Sequence, residues 1–336
     1  MTRPPDEDEP TEPPEAAFQP LEAVVEPDTA GRRADVWIAA RFPWFSRSAA
    51  ARLFAAGRVE GVDRPLKPST VLRAGERIRL WRPRLRADSP PPPLPPILHE
   101  DARVIAFDKP AGMLAHPSGS TFAWALIGLA RQARPEHHLH LVHRLDRDTS
   151  GVTVIAKDDE ANRALKAAFL NQRVDKVYWA VVRGVPTWST LLVDAPLGKA
   201  EGSAVRLRMG VREDGFPART RFHVLARFAG RALVAAHPRT GRTHQIRVHL
   251  EHAGHPVLGD RVYGQPDDLF LRVLDRGVDE EVRRRAGFRR QALHARILRF
   301  PHPDGGFLEV RAPLPGDLCA LLRSEAFPVA PAGPTV

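Results

Sequence analysis

The chain has 336 residues, 43% of them hydrophobic, and a formal net charge of +10. That length suits two domains of about 100 to 200 residues each, and the apolar content supports a core and excludes wholesale disorder. A single cysteine, Cys319, excludes an internal disulfide framework and metal sites built from paired thiolates.

Residues 1 to 20 are acidic and Pro-rich, with six acids and one base in the first 16, and are expected to be a disordered tail. They lack a basic segment followed by an apolar one, so no signal peptide is expected. No uninterrupted apolar run approaches 18 residues, so the expectation is a soluble cytoplasmic monomer with no membrane partner. A compact basic unit follows at 28 to 86. Residues 31 to 86 hold 14 Lys and Arg against 4 Asp and Glu, an excess that points to a polyanion such as nucleic acid. Within it ADVWIAARF reads as a short helix, and SRSAAARLFAAG as a second with Ser46 as N-cap and Gly57 past its end. Its apolar stripe (Ala50, Leu53, Phe54) leaves Arg47, Arg52 and Arg58 as candidate RNA contacts. RVEGV and VLRAGERIRLW read as strands. Residues 87 to 96 form a stiff proline linker, 97 to 318 a larger domain, and 319 to 336 a tail.

In the larger domain DARVIAFDKP and GVTVIAKD read as strands, and DEANRALKAAFLNQ as a helix capped by Asp158 or Asp159. KVYWAVVRG, TRFHVLARF and RALVAAHPR are further strands. RTHQIRVHLEHAG reads as a helix with Thr243 as N-cap, and ALHARILRFPHPDGGFLEVRAPLP as two strands joined by a DGG turn. Many strands with few helices predict an α+β fold with a mixed, mainly antiparallel sheet flanked by helices.

The histidine runs HHLHLVH (137 to 143) and HQIRVHLEHAGH (244 to 255) look metal-like, but neither contains H-E-x-x-H and no paired Cys completes a site. His138 and His140 share a strand face; packing and RNA contact account for them better than a metal does. Ser118 lacks a nucleophile elbow, and Cys319 lacks a basic neighbour. No Gly-rich phosphate loop is present, so neither a nucleotide cofactor nor a metal is expected. What remains is carboxylate chemistry centred on HRLDRDTSG at 143 to 151, with Asp148 an alternative to Asp146 as the reactive acid.

HRLDRDTSG is accompanied, in order, by DKPAGMLAHP (108 to 117), VDKVYWAVVRG (174 to 184), TGRTHQIRVHL with GHPVLGDRVYG (240 to 264) and LHARILRFPHP (293 to 303). This set resembles the RluA family of pseudouridine synthases over roughly 97 to 315. The helix SRSAAARLFAAGRV and the segment PSTVLRAGERIRL resemble an αL RNA-binding domain of the ribosomal-protein type. The resemblance implies a cofactor-independent isomerase of uridine in RNA, with large-subunit ribosomal RNA the favoured substrate and transfer RNA the alternative. A non-catalytic RNA-binding or assembly factor of the same fold is the reading from another class. The resemblance makes Asp146 the catalytic carboxylate and Arg247 its partner. Tyr178 becomes a ring that stacks on the uracil and assists proton removal. Arg144 would expel the target nucleotide, and Ile246 would form an apolar wall. Lys109 and His143 join them as substrate contacts, and Asp260 is read as ordering a turn. A carboxylate that must stay charged while desolvated needs such a guanidinium, because burial alone raises its pKa.

Overall fold

The computed structural model describes residues 18–42, 47–83, 91–116, 124–205 and 207–323. The expected disorder of 1 to 17, the Ser46 cap, the start of the linker, Ser118, the end of the C-terminal tail, and the side chains of Arg47 and Arg52 lie outside the described residues. The chain divides into two compact units, a small N-terminal one ending at Pro92 and a larger one.

The small unit holds β1 (Phe18–Val24), α1 (Ala34–Arg41), α2 (Arg47–Ala55), β2 (Val59–Gly61) and β3 (Arg77–Pro83). The strands form an antiparallel sheet in the order β1-β3-β2. Trp37 and Ile38 of α1 pack with Leu72, Ile78 and Leu80 in its core. Two details differ from the sequence reading. A strand covers Phe18–Val24, taking in residues 18 to 20 of the expected tail, because Leu21 and Ala23 supply apolar partners for that core. The strand expected over VLRAGERIRLW is confined to Arg77–Pro83, because Gly75, at φ 83°, turns the chain just ahead of it.

The larger unit opens with β4 (Ile97–Glu100), β5 (Val104–Lys109), α3 (Leu126–Ala133), β6 (His140–Leu141), β7 (Ser150–Ala156), α4 (Asp159–Leu170) and β8 (Asp175–Arg183). Then come β9 (Thr190–Asp194), β10 (Leu197–Lys199), β11 (Met209–Val211), β12 (Arg219–Phe228), β13 (Arg231–Pro238), α5 (Gln245–His252), α6 (Asp267–Arg276) and α7 (Glu280–Ala286). β14 (Leu293–Pro301), β15 (Phe307–Arg311) and α8 (Gly316–Arg323) complete it. The last helix runs past the expected boundary at 318, with Leu318 buried against the core.

Ten strands make one mixed sheet, with β4-β5-β7-β14-β8-β13-β12-β9 as its path, β15 beside β14 and β6 beside β7. All its pairings are antiparallel except β7 with β14. The unbroken apolar run of β5 follows from burial on both faces. Val104 and Ala106 pack with Ala161 and Leu165 of α4, while Ile105 and Phe107 pack with Leu126 and Leu129 of α3. A fully buried Leu such as Leu165 contributes roughly 1.5–3 kcal/mol. Helix α4 starts where Asp158 accepts the Ala161 N–H at 2.8 Å.

Two glycines permit close backbone approaches, one inside β7 and one in the loop after α5. Gly151 has φ 113°, and a Cβ there would lie 2.2 Å from the Ala295 carbonyl oxygen, so only glycine lets β7 meet β14. Gly259 has φ 78°, and its Cβ would lie 1.8 Å from the Arg290 carbonyl oxygen.

Candidate active site

Asp146 sits in the loop between β6 and β7, and that loop is pinned from below. Lys109, at the end of β5, is fully buried. Its Nζ donates to the carbonyls of Pro110 (2.9 Å), Met113 (2.8 Å) and Arg147 (3.1 Å). The Gly112 N–H donates to the same Arg147 carbonyl, one residue after Asp146. Burial pushes Lys109 down to about 7, yet an ammonium has three donors and all three acceptors are in place, which favours the charged form. This corrects the expectation that Lys109 touches substrate: its donors are consumed in holding the loop.

Arg247, the third residue of α5, is buried and reaches two acids. Its Nε and Nη2 donate to the Asp260 carboxylate at 2.6 and 2.8 Å, and Nη1 donates to Asp146 Oδ2 at 2.9 Å. Its guanidinium carbon also stands 4.8 Å from the centre of the Tyr263 ring. Asp260 accepts from the N–H groups of Val262 and Tyr263 as well. The turn role read for Asp260 is therefore real, but it also clamps Arg247, which sequence reasoning did not find. Burial pushes the Asp146 carboxyl up, and the Arg247 guanidinium outweighs that, leaving it below its ordinary value and ionised.

The helix carrying Arg247 begins one residue later than expected. His244 occupies the cap position in left-handed conformation (φ 58°), an arrangement costing about 1–2 kcal/mol in an L-residue. Gln245 holds it in place of Thr243. Its Oε1 accepts from the Thr240 hydroxyl and the Arg242 N–H, and its Nε2 donates to the Arg219 carbonyl and Thr220 Oγ1. His244 Nδ1 lies 2.8 Å from the Tyr263 hydroxyl, which already accepts the Met209 N–H. Burial pushes His244 down to about 4, so its ring is neutral at pH 7. If the Tyr263 O–H donates to Nδ1, the remaining proton sits on Nε2, 3.9 Å from Asp146.

In front of Asp146 lies an open pocket of about 110 Å³ lined by Arg144, Lys176, Tyr178, Thr240, Arg242, Ile246 and Leu293. Tyr178 comes from β8, paired between β13 and β14. Burial, with the Asp146 charge adding to it, pushes the Tyr178 phenol well up, so it stays neutral and is a poor base. Ile246 forms part of the wall and Arg144 is exposed at the rim. Lys176, two residues before Tyr178, was not singled out in the sequence. Burial pushes it down to about 8, and its Nζ donates to the Thr240 carbonyl at 3.1 Å.

His143 does not line this pocket. Its Nε2 accepts the Val154 N–H at 3.0 Å, its ring stacks on Phe169 at 4.9 Å, and burial holds it neutral at about 3. The substrate role expected for it is replaced by a structural one. Asp148 lies 3.9 Å from Arg261 and is absent from this pocket's walls, so Asp146 is the acid that faces it. Arg58, in the small unit, follows α2, and its carbonyl accepts the Trp81 N–H. In the second histidine run His249 is held within the fold, bonding Thr220 and the Ala195 carbonyl. In the first run His138 and His140 do share a face, with ring centres 4.3 Å apart, and Asp159 joins them. Asp159 Oδ1 lies 2.7 Å from His140 Nε2.

Residues 103–252 match the RNA pseudouridylate synthase family. The chain is 37% identical over 302 residues to the ribosomal large subunit pseudouridine synthase D of Xylella fastidiosa, covering 88% of this chain and 89% of that one. It is 35% identical over 315 residues to the ribosomal large subunit pseudouridine synthase C of Salmonella typhi, covering 89% and 95%. Among solved structures, human RNA pseudouridylate synthase domain containing 4 superposes with a TM-score of 0.54 at 30% identity, covering 67% of this chain and 91% of that one. Shared sequence over nearly the whole length, joined to a common α+β fold, makes this chain a member of the RluA family of RNA pseudouridine synthases, an isomerase that acts on RNA.

Proposed function

We propose that the protein isomerises uridine to pseudouridine in large-subunit ribosomal RNA, with Asp146 as the catalytic carboxylate. The observation that carries this is the ionised Asp146, held by the buried Arg247 at the floor of a pocket walled by Tyr178 and Ile246. Names borne by relatives matching about 90% of this chain support the ribosomal substrate.

In the reaction the bond from the ribose to N1 of uracil breaks and a bond from the ribose to C5 forms. C5 loses a proton and N1 gains one. Atoms and electrons balance within the substrate, so the proposed reaction needs no redox group, nucleotide or metal. Asp146 is charged without being a strong base, which suits attack on an electron-poor centre. Arg247 keeps it charged inside a partly dry site, where desolvation would otherwise protonate it. Tyr178 stacks on the extruded base and, held neutral, offers its O–H as a donor; stacking offsets part of the few kcal/mol that unstacking costs. Arg144 at the rim takes the place vacated in the RNA or its phosphate. Cytoplasmic action on ribosomal RNA by a monomer, with the basic N-terminal unit adding affinity, completes the reading.

The test maps pseudouridines in cells lacking the protein and in the same cells carrying an Asp146→Asn copy. Sites in large-subunit ribosomal RNA should vanish and stay absent with the variant. Loss confined to transfer RNA would overturn the substrate, and full rescue by the variant would remove Asp146 from the mechanism.

A further inference from the structure

Behind the catalytic pair lies a second cavity, of about 380 Å³ against about 110 Å³ for the first. Asp146, His244 and Arg247 belong to the walls of both, so the ion pair is the partition between them. Besides Asp148, Gly259, Val262 and Gln291, the remaining walls of the second cavity have two parts. One is apolar: Leu207, Phe270 and Val273. Phe270 and Val273 lie one turn apart on α6 and therefore share a face, while Leu207 is 40% exposed. The other is cationic, formed by Arg147 and Arg261. Arg261 is nearly buried, and its Nε is buried with no hydrogen-bond partner among the described residues. Asp148, in the same wall, stands 3.9 Å from Arg261 and 3.5 Å from Arg147, and Arg261 Nη2 donates to the Arg289 carbonyl.

An RNA strand engaged with this enzyme is continuous. A uridine whose base fills the first cavity sets its glycosidic bond at Asp146, and its backbone leaves past the partition toward Arg147 and Arg261. These two cations, set against the single carboxylate of Asp148, keep this part of the wall net positive, which suits a phosphate. An apolar wall does nothing for a phosphate, but it does suit the face of a base. We propose that the second cavity binds the nucleobase of the nucleotide next to the target uridine, between Leu207 and the Phe270–Val273 face, with Arg261 and Arg147 on the linking phosphate. This rests on the functional reading above and adds to it a local sequence or shape requirement at one neighbouring position. Stacking on a side chain tolerates any base, whereas an abasic residue supplies no face at all.

The experiment uses full-length wild-type protein, Leu207→Ala and Phe270→Ala. The substrate is an RNA stem-loop carrying the mapped uridine, either intact or with an abasic ribose immediately 5′ or 3′ of it, and the readout is kcat/KM for pseudouridine formation. In the wild type one of the two abasic substrates should lose roughly tenfold or more. In both variants the intact substrate should fall toward that level, and the same abasic substitution should cost nothing further. Leu207 is exposed, so its variant keeps the test valid if Phe270→Ala unfolds, which a thermal melt reveals. Equal abasic penalties in wild type and variants, or variants indistinguishable from wild type on every substrate, would overturn the second cavity alone. A wild type that forms no pseudouridine in the intact substrate would overturn the enzymatic reading together with it.

Discussion

Arg247 and Asp260 face each other in a bidentate pair at 2.6 and 2.8 Å, and the side chain of Asp260 is completely buried. With two arms of the guanidinium fixed there, the third has one direction left, and Asp146 lies 2.9 Å along it. The guanidinium that keeps Asp146 charged is therefore aimed by a second, buried acid. Asp260→Asn should lower kcat about 10- to 100-fold through misplacement of Arg247, with KM for RNA nearly unchanged. It should also cost about 3 kcal/mol of stability, because a buried charge loses a partner. Steady-state kinetics and thermal denaturation check both.

The pH dependence of activity should be set on the alkaline side by Lys176. Its pKa is pushed down to about 8, so its charge is present below that value and lost above it. On the acid side Asp146 lies below its ordinary value and His244 is neutral down to about 4. The rate should then be flat between pH 5 and 7, as both groups keep their working forms until the pH falls below about 4. Above pH 8 RNA affinity should weaken by about tenfold, equivalent to 1.4 kcal/mol. Lys176→Arg should carry the plateau through pH 9, and a titration of binding against pH would show it.

Removing the Lys109 ammonium takes a donor from three carbonyls, of which that of Arg147 keeps the Gly112 N–H. Lys109→Met should destabilise the protein by about 2–4 kcal/mol, with each orphaned acceptor contributing to the loss. Activity should fall with it, because the loop bearing Asp146 loses one of the two donors that hold the Arg147 carbonyl. Urea denaturation with unchanged slope would identify a stability effect.

Gly151→Ala should be among the most damaging single-methyl additions in the chain. The new Cβ meets the Ala295 carbonyl at 2.2 Å in a backbone conformation that L-residues avoid, and a penalty of at least about 3 kcal/mol is expected. Chemical denaturation measures it.

Deleting residues 1 to 86 removes the segment of highest positive charge. RNA binding should weaken and its logarithmic dependence on salt should flatten, while turnover on a short substrate persists. Binding isotherms at several salt concentrations test this.

The sequence by itself determined the family, the α+β class and most strands of the large sheet, because a run such as VIAF or GVTVIA has only one way to satisfy burial on both faces. It also marked Asp146, Arg247, Tyr178 and Ile246, since reactive residue types sat inside motifs of recognisable order, and the structure brings all four to one pocket. Helices α3 and α6 to α8 escaped it; in α7 only Val282 and Ala286 stand among five charges. Only the tertiary structure decided what the remaining motif residues do. His143 and Lys109 sit in motifs beside reactive neighbours, yet one turns toward Phe169 and the other into three carbonyls. Asp260 looked like a turn residue because the bonds that make the turn are local, whereas its grip on Arg247 crosses 13 residues and depends on a helix and a loop meeting. Whether a side chain spends its hydrogen bonds on the protein or keeps them for a substrate depends on which acceptors the fold brings within about 3 Å, and residue order alone carries no such distance.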